Sequence, residues 1–255
     1  MLLAVDIGNT STTLGVFDGE KLRATWHMAT GVHRMSDEYA ALLFNLLRQQ
    51  GLDTTDIKAV ALCSVVPPLI STFEELFKRY FNIEPMVVGT GVKSGVRIRM
   101  DNPREVGADR IADAAAAHHL YGGPVIVIDL GTATTFGIIS KEGDYIGGII
   151  ATGIATAAEA LFTRTAQLPR VELAPPKHVI GSNTVAAIQS GIIYGYASLV
   201  EGMLARIRKE LGVKAKVVAT GGYAGLIAKE TKVIDVVNPD LTLIGLRLIY
   251  EMNKD

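Results

Sequence analysis

The chain has 255 residues, of which 49% are hydrophobic and 20% charged, so it is long and apolar enough for a substantial core and is not a disordered chain. Its 25 basic and 26 acidic residues give a net charge of -1, which excludes a general electrostatic attraction to nucleic acid or anionic lipid. The single cysteine, Cys63, excludes an intramolecular disulfide and a thiolate zinc cage, and it favours a reducing cytoplasm. The apolar runs are too short to cross a bilayer, so we expect neither a signal peptide nor a membrane partner.

The first half of the chain is predicted to contain three strands followed by alternating helices and strands, because apolar residues recur with those periods. Ser36 is the expected N-cap of the first helix, since Asp37 and Glu38 lie in its first turn. In chain order the predicted elements are strands 2–6, 12–17 and 22–28, helix 37–50, strand 59–63, a helix after Pro67-Pro68 that runs to about residue 80, strand 86–88 and helix 104–119.

The second half repeats this order of elements. Its predicted elements are strands 125–129, 135–139 and 145–149, helices 154–165 and 185–211, strand 216–219, helix 223–229, strand 233–236 and helix 241–253. The turn cluster Tyr121-Gly122-Gly123-Pro124 separates the halves. We therefore expect two lobes, residues 1–121 and 122–255.

An internal repeat supports two similar lobes. The segment from Leu2 to Thr10 resembles the segment from Ile126 to Thr134, since each is an aliphatic strand that ends in Asp-x-Gly and continues into small polar residues. A second strand follows each copy, and Gly15 matches Gly137 after one residue is deleted. Position, apolar pattern and turn chemistry agree, which indicates gene duplication.

The turn in the first copy, Asp6-Ile7-Gly8-Asn9-Thr10, has the chemistry of a phosphate-binding turn. Its glycine lets the backbone approach a ligand, and the Asn and Thr side chains offer hydrogen-bond donors. An aspartate at a strand end can also hold a divalent cation through its carboxylate. An ordinary hairpin turn is the structural alternative. The second copy favours the functional interpretation, in which two facing turns clamp a polyphosphate between the lobes.

Two further motifs leave both interpretations open. In Gly107-Ala108-Asp109-Arg110, the carboxylate could accept a proton from a hydroxyl while the guanidinium grips an anion, or the two could simply pair at a helix start. In Thr220-Gly221-Gly222, the glycines could pass beneath a nucleobase or only form a tight turn. Near the start of the long helix, Asn183 or Thr184 is the expected cap.

Taken together, the motifs resemble the type III pantothenate kinase family, within the superfamily of acetate and sugar kinases, Hsp70 and actin. The resemblance covers essentially the whole chain, and the order and spacing of the motifs are more specific than any one of them. They are Asp6 to Thr10, Asn102 to Arg110, Asp129 to Thr135, Gly147-Gly148, Thr165 to Pro169, Gly181 to Thr184, Thr220 to Gly222 and Leu241 to Leu246.

The resemblance implies an α/β fold of duplicated actin-like (ribonuclease H-like) lobes, each a mixed sheet flanked by helices, with the active-site cleft between them. It also implies ATP-dependent phosphorylation of pantothenate to 4'-phosphopantothenate, the first step toward coenzyme A. Implied cofactors are magnesium and either potassium or ammonium. A cytoplasmic homodimer is implied, with the pantothenate site completed near the subunit contact.

The resemblance assigns roles residue by residue. Asp109 becomes the catalytic base, and Asp129 binds the monovalent cation while Asp6 holds magnesium. Pantothenate is implied to contact Met100, Gly107, Ala108, Asp109, Arg110 and Thr184. ATP is implied to contact Asp6, Ile7, Gly8, Asn9, Thr10, Ser11, Thr12, Thr13, Thr132, Gly221 and Gly222.

Two positions depart from the family pattern. Met100 stands where a tyrosine often contacts pantothenate, so this contact becomes apolar. Ala151-Thr152-Gly153 lacks the proline that commonly precedes the last glycine, which removes backbone stiffness. A sugar or short-acid kinase of the same superfamily and a transcriptional accessory protein are the alternatives. The net charge and the lack of a basic cluster count against direct DNA binding.

Overall fold

The computed structural model describes residues 1–89 and 91–254, which form two compact units. Unit 1 comprises Met1–Ala116 and the C-terminal segment from Leu241, whereas unit 2 comprises Ala117–Asp240. This division differs from the predicted boundary at residue 121, and it places the last helix in unit 1 instead of the second lobe. The physical reason is apolar packing, since Leu243, Leu246 and Ile249 are buried against residues of the first sheet.

The helices and strands follow the alternation that the sequence predicts. The strands are β1 (Leu2–Ile7), β2 (Ser11–Asp18), β3 (Lys21–Ala29), β4 (Ala59–Ser64), β5 (Met86–Val87), β6 (Val125–Leu130), β7 (Ala133–Ile139), β8 (Tyr145–Thr152), β9 (Lys216–Thr220) and β10 (Val236–Val237). The helices are α1 (Ser36–Gln49), α2 (Pro67–Phe81), α3 (Ala108–Tyr121), α4 (Ile154–Arg164), α5 (Thr184–Leu211), α6 (Ala224–Ile227) and α7 (Leu241–Asn253).

Each unit contains a five-stranded mixed sheet, and the two sheets share one topology. The strand order is β3-β2-β1-β4-β5 in unit 1 and, read in the same direction, β8-β7-β6-β9-β10 in unit 2. In each sheet the central strand pairs antiparallel with the next strand and parallel with a later one. Gly15 lies opposite Ala4, and Gly137 lies opposite Val127, at equivalent positions of the two sheets. The predicted fold class of two duplicated mixed sheets flanked by helices is confirmed.

The starts of α1 and α3 differ from their predictions. The N-cap of α1 is Met35 instead of Ser36, because the Glu38 carboxylate accepts a hydrogen bond from the Met35 amide at 2.8 Å. The helix predicted over 104–119 is a short 3₁₀ turn, Pro103–Glu105, followed by α3. Val106 has extended dihedral angles, φ -77° and ψ 120°, and this separates the turn from the helix.

The sheet of unit 1 is buried on both faces because consecutive side chains of a strand point to opposite sides. Leu3, Val5 and Ile7 of β1 pack in the cluster that includes the buried faces of α1 and α2. Leu2 and Ala4 pack in a separate cluster with α7. The carboxyl ends of β1 and β4 are therefore held between two apolar layers.

The core of unit 2 is built on α5, whose buried residues pack against β6 and β9. The Asn183 side chain accepts a hydrogen bond from the Ala186 amide at 2.9 Å, so Asn183 is the cap and Thr184 the first residue of the helix. Gly212 ends α5 in the left-handed conformation, φ 66°. Although α5 is long, no helix within residues 1–89 and 91–254 has the length and apolarity needed to span a membrane.

A helix–helix contact in unit 1 gives a stability prediction. A Cβ at Gly245 of α7 would collide with the backbone carbonyl of Ala112 in α3. We expect Gly245→Ala to lower the free energy of unfolding by about 1–3 kcal/mol, because the backbone must shift. Gly191→Ala in α5 is the matched control: it meets no atom within 4 Å and should raise stability by about 0.5–1 kcal/mol. Urea unfolding measures both, and equal effects would contradict the prediction.

Candidate active site

The turn between β1 and β2 is tight and presents polar groups to solvent. The Gly8 amide donates to the Ser11 carbonyl at 3.0 Å, and a Cβ at Gly8 would lie 2.9 Å from that oxygen. Asn9, Thr10 and Ser11 are exposed. The side chain of Ile7 is buried in the core, so only its backbone could contact a ligand.

The side chains of Thr12 and Thr13 lie beyond the tip of this turn. Thr12 is buried, and its hydroxyl lies 3.0 Å from that of Thr30. The Thr13 hydroxyl lies 3.2 Å from Nδ1 of His27 on β3. The predicted phosphate segment is therefore brought together as one turn, in which Asn9, Thr10 and Ser11 are the most exposed side chains.

Asp6 at the end of β1 is fixed by a buried thiol. Asp6 pairs with Cys63 across the parallel strands β1 and β4, and the Cys63 thiol donates to Asp6 Oδ1 at 3.3 Å. Burial raises the pKa of Cys63 well above its usual range, and the negative charges of Asp6, Asp109 and Asp113 raise it further. The thiol therefore stays protonated and keeps its hydrogen bond to the carboxylate. These charge effects also place Asp109 in the electrostatic surroundings of the Asp6–Cys63 pair.

Asp109 lies in the first turn of α3 and carries an unsatisfied acceptor. Its Oδ1 atom is buried and has no hydrogen-bond partner within the described part of the chain. A Cβ at Gly107 would collide with this oxygen and would lie 3.7 Å from Cγ1 of Val65. A buried acceptor without a donor costs about 1–3 kcal/mol, so a ligand hydroxyl that donated to Asp109 Oδ1 would supply a hydrogen bond that the described part of the protein does not.

The other predicted substrate residues lie in three segments of the chain. Gly107, Ala108 and Arg110 accompany Asp109 at the start of α3, and all three are half-buried. Met100 is also half-buried and precedes the 3₁₀ turn. Thr184 lies in unit 2 and is exposed at the start of α5.

The turn between β6 and β7, which is the second copy of the repeated turn, lies against a glycine from a distant motif. Gly221 has φ +88°, and a Cβ there would collide with Asp129 Oδ1. A Cβ at Gly131 would lie 3.3 Å from the same oxygen, whereas Gly222 faces open space. The Asp129 carboxylate thus lies against Gly221, where a side chain would collide with it, and close to Gly131, where a Cβ would make a tight contact. Of the residues of unit 2 that were predicted to bind ATP or a cation, Gly221 is close to Asp129, and Thr132 lies in the turn between β6 and β7.

Residues outside the predicted motifs support these turns. Thr30 donates through its hydroxyl to the Gly8 carbonyl at 2.7 Å, and Thr156 of α4 donates to the Thr132 carbonyl at 2.9 Å. Tyr196 of α5 donates to the Thr152 carbonyl at 2.8 Å, and burial raises the pKa of this hydroxyl. Position relative to the repeat could have identified Thr30, because it directly follows the third strand of the first copy.

The carboxylates match the chemistry of the implied cations. Residues 1–89 and 91–254 contain no group of three or more His, Cys, Asp or Glu side chains that could hold a metal ion. Magnesium fits Asp6, since it needs only one or two carboxylates when phosphates and waters supply the other oxygens. The resemblance assigns the monovalent cation to Asp129, whose carboxylate oxygens are suitable ligands and lie beside Gly221 and Gly131.

Residues 2–206 match the family model described as type III pantothenate kinase. The chain belongs to this family. A type III pantothenate kinase from Dehalococcoides mccartyi is 59% identical over 253 residues, which cover 99% of this chain and 98% of that relative. Family membership makes this protein a kinase that uses ATP.

Solved structures with lower sequence identity agree with the fold. A protein from Campylobacter jejuni, named for the Baf family of transcriptional activators, has a TM-score of 0.60 at 20% identity, with 98% of both chains covered. The inorganic polyphosphate/ATP-glucomannokinase from Arthrobacter sp. strain KM has a TM-score of 0.53 at 14% identity, with 99% of both chains covered. At these identities the likeness concerns the fold alone.

Proposed function

We propose a residue-level mechanism for the reaction of this kinase, the ATP-dependent phosphorylation of pantothenate in coenzyme A biosynthesis. The observation that carries it is the buried, unpartnered Asp109 Oδ1 at the start of α3. A primary hydroxyl is the donor that this oxygen lacks. The product of phosphorylation at that hydroxyl is 4'-phosphopantothenate.

Asp109 acts as the general base. As the hydroxyl oxygen forms its bond to the γ-phosphorus, the bond from that phosphorus to the β–γ bridging oxygen breaks, and ADP leaves. The hydroxyl proton passes to the Asp109 carboxylate. Phosphoryl transfer depends mainly on positioning and charge stabilisation, so a single well-placed carboxylate is sufficient.

The start of α3 binds the rest of pantothenate. Arg110 offers a planar fork of donors to the pantothenate carboxylate, and Gly107 and Ala108 allow close approach of the backbone. Thr184 adds a hydroxyl contact. Met100 supplies an apolar contact instead of a hydrogen bond.

The polar turns bind ATP. The segment from Asp6 to Thr13 and the turn residue Thr132 contact phosphate oxygens, while Gly221 and Gly222 lie near the adenosine. Magnesium on Asp6 and potassium or ammonium at Asp129, when bound, offset the negative charge of the phosphates. The Cys63 thiol keeps the Asp6 carboxylate oriented through its hydrogen bond.

Two substitutions test the binding of ATP and the binding of pantothenate separately. We expect Asp6→Ala to raise the KM for magnesium ATP by about tenfold or more, because a charge-assisted contact is lost. Arg110→Ala should instead raise the KM for pantothenate by a similar factor. Initial rates with ATP and pantothenate varied independently measure both effects. A change in the ATP KM alone for Arg110→Ala would remove Arg110 from the pantothenate site.

A substrate panel tests the function itself. A coupled assay that detects ADP would compare pantothenate with sugars and short acids at equal concentrations. We expect pantothenate to be phosphorylated and the other acceptors to give only background rates. A gel-shift assay at physiological salt tests the accessory alternative, and DNA binding without pantothenate turnover would overturn the proposal.

We also propose that this kinase is a cytoplasmic homodimer. The unpaired Cys63 is compatible with a reducing compartment. Apolar side chains exposed on unit 2 are ones that a subunit contact would cover: Ile150, Val179 and Ile180 are 64%, 67% and 89% exposed.

A further inference from the structure

Thr30, which no motif includes, makes three hydrogen bonds to the turn between β1 and β2. Its amide donates to the Thr10 carbonyl at 3.0 Å, and its hydroxyl donates to the Gly8 carbonyl at 2.7 Å. The hydroxyls of Thr30 and Thr12 are 3.0 Å apart. One residue therefore connects the beginning, the tip and the end of the turn.

The directions of these bonds follow from the atoms involved. A threonine hydroxyl has one proton, and the Gly8 carbonyl can only accept, so Thr30 Oγ1 donates to Gly8. The Thr30 oxygen is then left as the acceptor for the Thr12 hydroxyl. Because Thr12 is buried, water does not readily replace a lost partner at this position.

The segment that carries Thr30 is attached to helix α1 through the next residue, Gly31. The fully buried Tyr39 hydroxyl accepts from the Gly31 amide at 2.9 Å and donates to the Gly31 carbonyl at 3.2 Å. The Arg34 amide also donates to the Gly31 carbonyl at 3.0 Å. The segment that carries Thr30 is therefore attached to a packed helix.

The second copy of the repeat uses a related arrangement. Gly153 follows β8 as Thr30 follows β3, and a Cβ there would collide with the Thr132 carbonyl. Since Gly153 has no hydroxyl, Thr156 supplies the hydrogen bond to Thr132 instead. In both units, a threonine hydroxyl holds a backbone carbonyl of the turn after the central strand.

We infer that Thr30 is a positioning residue that fixes the turn between β1 and β2 for binding of ATP phosphates. This inference rests on the proposed assignment of that turn to ATP. The Thr30 side chain does not itself contact ATP, because its hydroxyl is engaged with Gly8 and Thr12. It acts by holding the Gly8–Thr12 backbone, so that the turn does not have to be ordered when the nucleotide binds.

The test compares Thr30→Val, which keeps the shape but removes the hydroxyl, with Thr30→Ser, which retains it. Calorimetry with magnesium ATP should show Kd raised by about five- to twentyfold for Thr30→Val and by less than about twofold for Thr30→Ser. In steady-state assays the KM for ATP should rise by the same factor, while the KM for pantothenate stays within about twofold.

Thr231→Val is the matched control, since the buried Thr231 hydroxyl donates to Glu201 Oε1 at 2.6 Å outside the proposed site. It should reduce the melting temperature but leave the Kd for ATP unchanged. If Thr30→Val does not fold, Tyr39→Phe removes both side-chain bonds to Gly31 and should also raise this Kd. Unchanged ATP affinity in a folded Thr30→Val or Tyr39→Phe protein overturns the inference.

Asn9→Ala distinguishes this inference from the proposed site. Weaker ATP binding by Asn9→Ala together with normal binding by Thr30→Val would reject the role of Thr30 but keep the turn as the ATP site. Normal ATP binding by both variants would reject both assignments. Failure of the wild-type kinase to phosphorylate pantothenate would reject the proposed reaction, and the calorimetry would still decide the role of Thr30.

Discussion

Asp109→Asn is expected to lower kcat by about 10²- to 10⁴-fold, the range for loss of a general base. The substitution keeps the size of the side chain, so its packing beside Gly107 is preserved. Asparagine cannot take up the hydroxyl proton at neutral pH. Rapid-quench or steady-state measurement of phosphopantothenate formation gives kcat, and calorimetry with ATP should show an unchanged Kd.

Glu105→Gln is the control, because it removes one negative charge close to Asp109 in the sequence and leaves the proposed base in place. Glu105 is exposed in the 3₁₀ turn before α3, and its carboxylate accepts a hydrogen bond from the side-chain Nδ2 of Asn102 at 2.8 Å, a bond that glutamine can keep. This variant should stay within a few-fold of the wild-type rate. If Asp109→Asn also stays within a few-fold, Asp109 is not the base.

Asp129→Ala is expected to remove most activity and to abolish the response to potassium. We expect wild-type turnover to require potassium or ammonium, with sodium a poor substitute. Potassium and ammonium are larger than sodium and magnesium, and they suit oxygen ligands that are too widely spaced for a small ion. Asp129 lies against Gly131 and Gly221, so alanine would remove the carboxylate without a clash. Rates in potassium, ammonium and sodium chloride at constant ionic strength measure this dependence.

Thermal unfolding in each salt provides a second readout that does not depend on turnover. Potassium should raise the melting temperature of the wild-type kinase with magnesium ATP more than sodium does, and Asp129→Ala should lose this difference. Equal rates and equal melting temperatures in sodium and potassium would mean that Asp129 only stabilises its turn.

Much of the fold could be predicted because strand and helix periodicities are local properties of the sequence. The repeat around Asp6 and Asp129 predicted two related sheets, and the registers place Asp6 opposite Thr13 and Asp129 opposite Thr135. The start of α3 was less predictable, since Asn102 and Val106 cap a separate 3₁₀ turn, Pro103–Glu105, that helical periodicity does not reveal.

The candidate site could be predicted only in part. Sequence motifs nominated Asp6, Asp109 and Gly221, and their roles stay predictions. The contact between Cys63 and Asp6 depends on parallel strand pairing, and the apolar strand around Cys63 indicates only a core residue. Thr30 and Thr156 bind backbone carbonyls, an interaction that requires no particular residue type in the partner and so leaves no sequence motif.

The return of α7 to unit 1 sets an order for folding during synthesis. Unit 2 is continuous in sequence, whereas the second apolar layer of unit 1 needs Leu243, Leu246 and Ile249, which the ribosome adds after all of unit 2. Until then, the face of the first sheet around Leu2 and Ala4 lacks part of its cover. The nascent chain therefore exposes this apolar surface until α7 has been synthesised. A chaperone would first be needed at this surface.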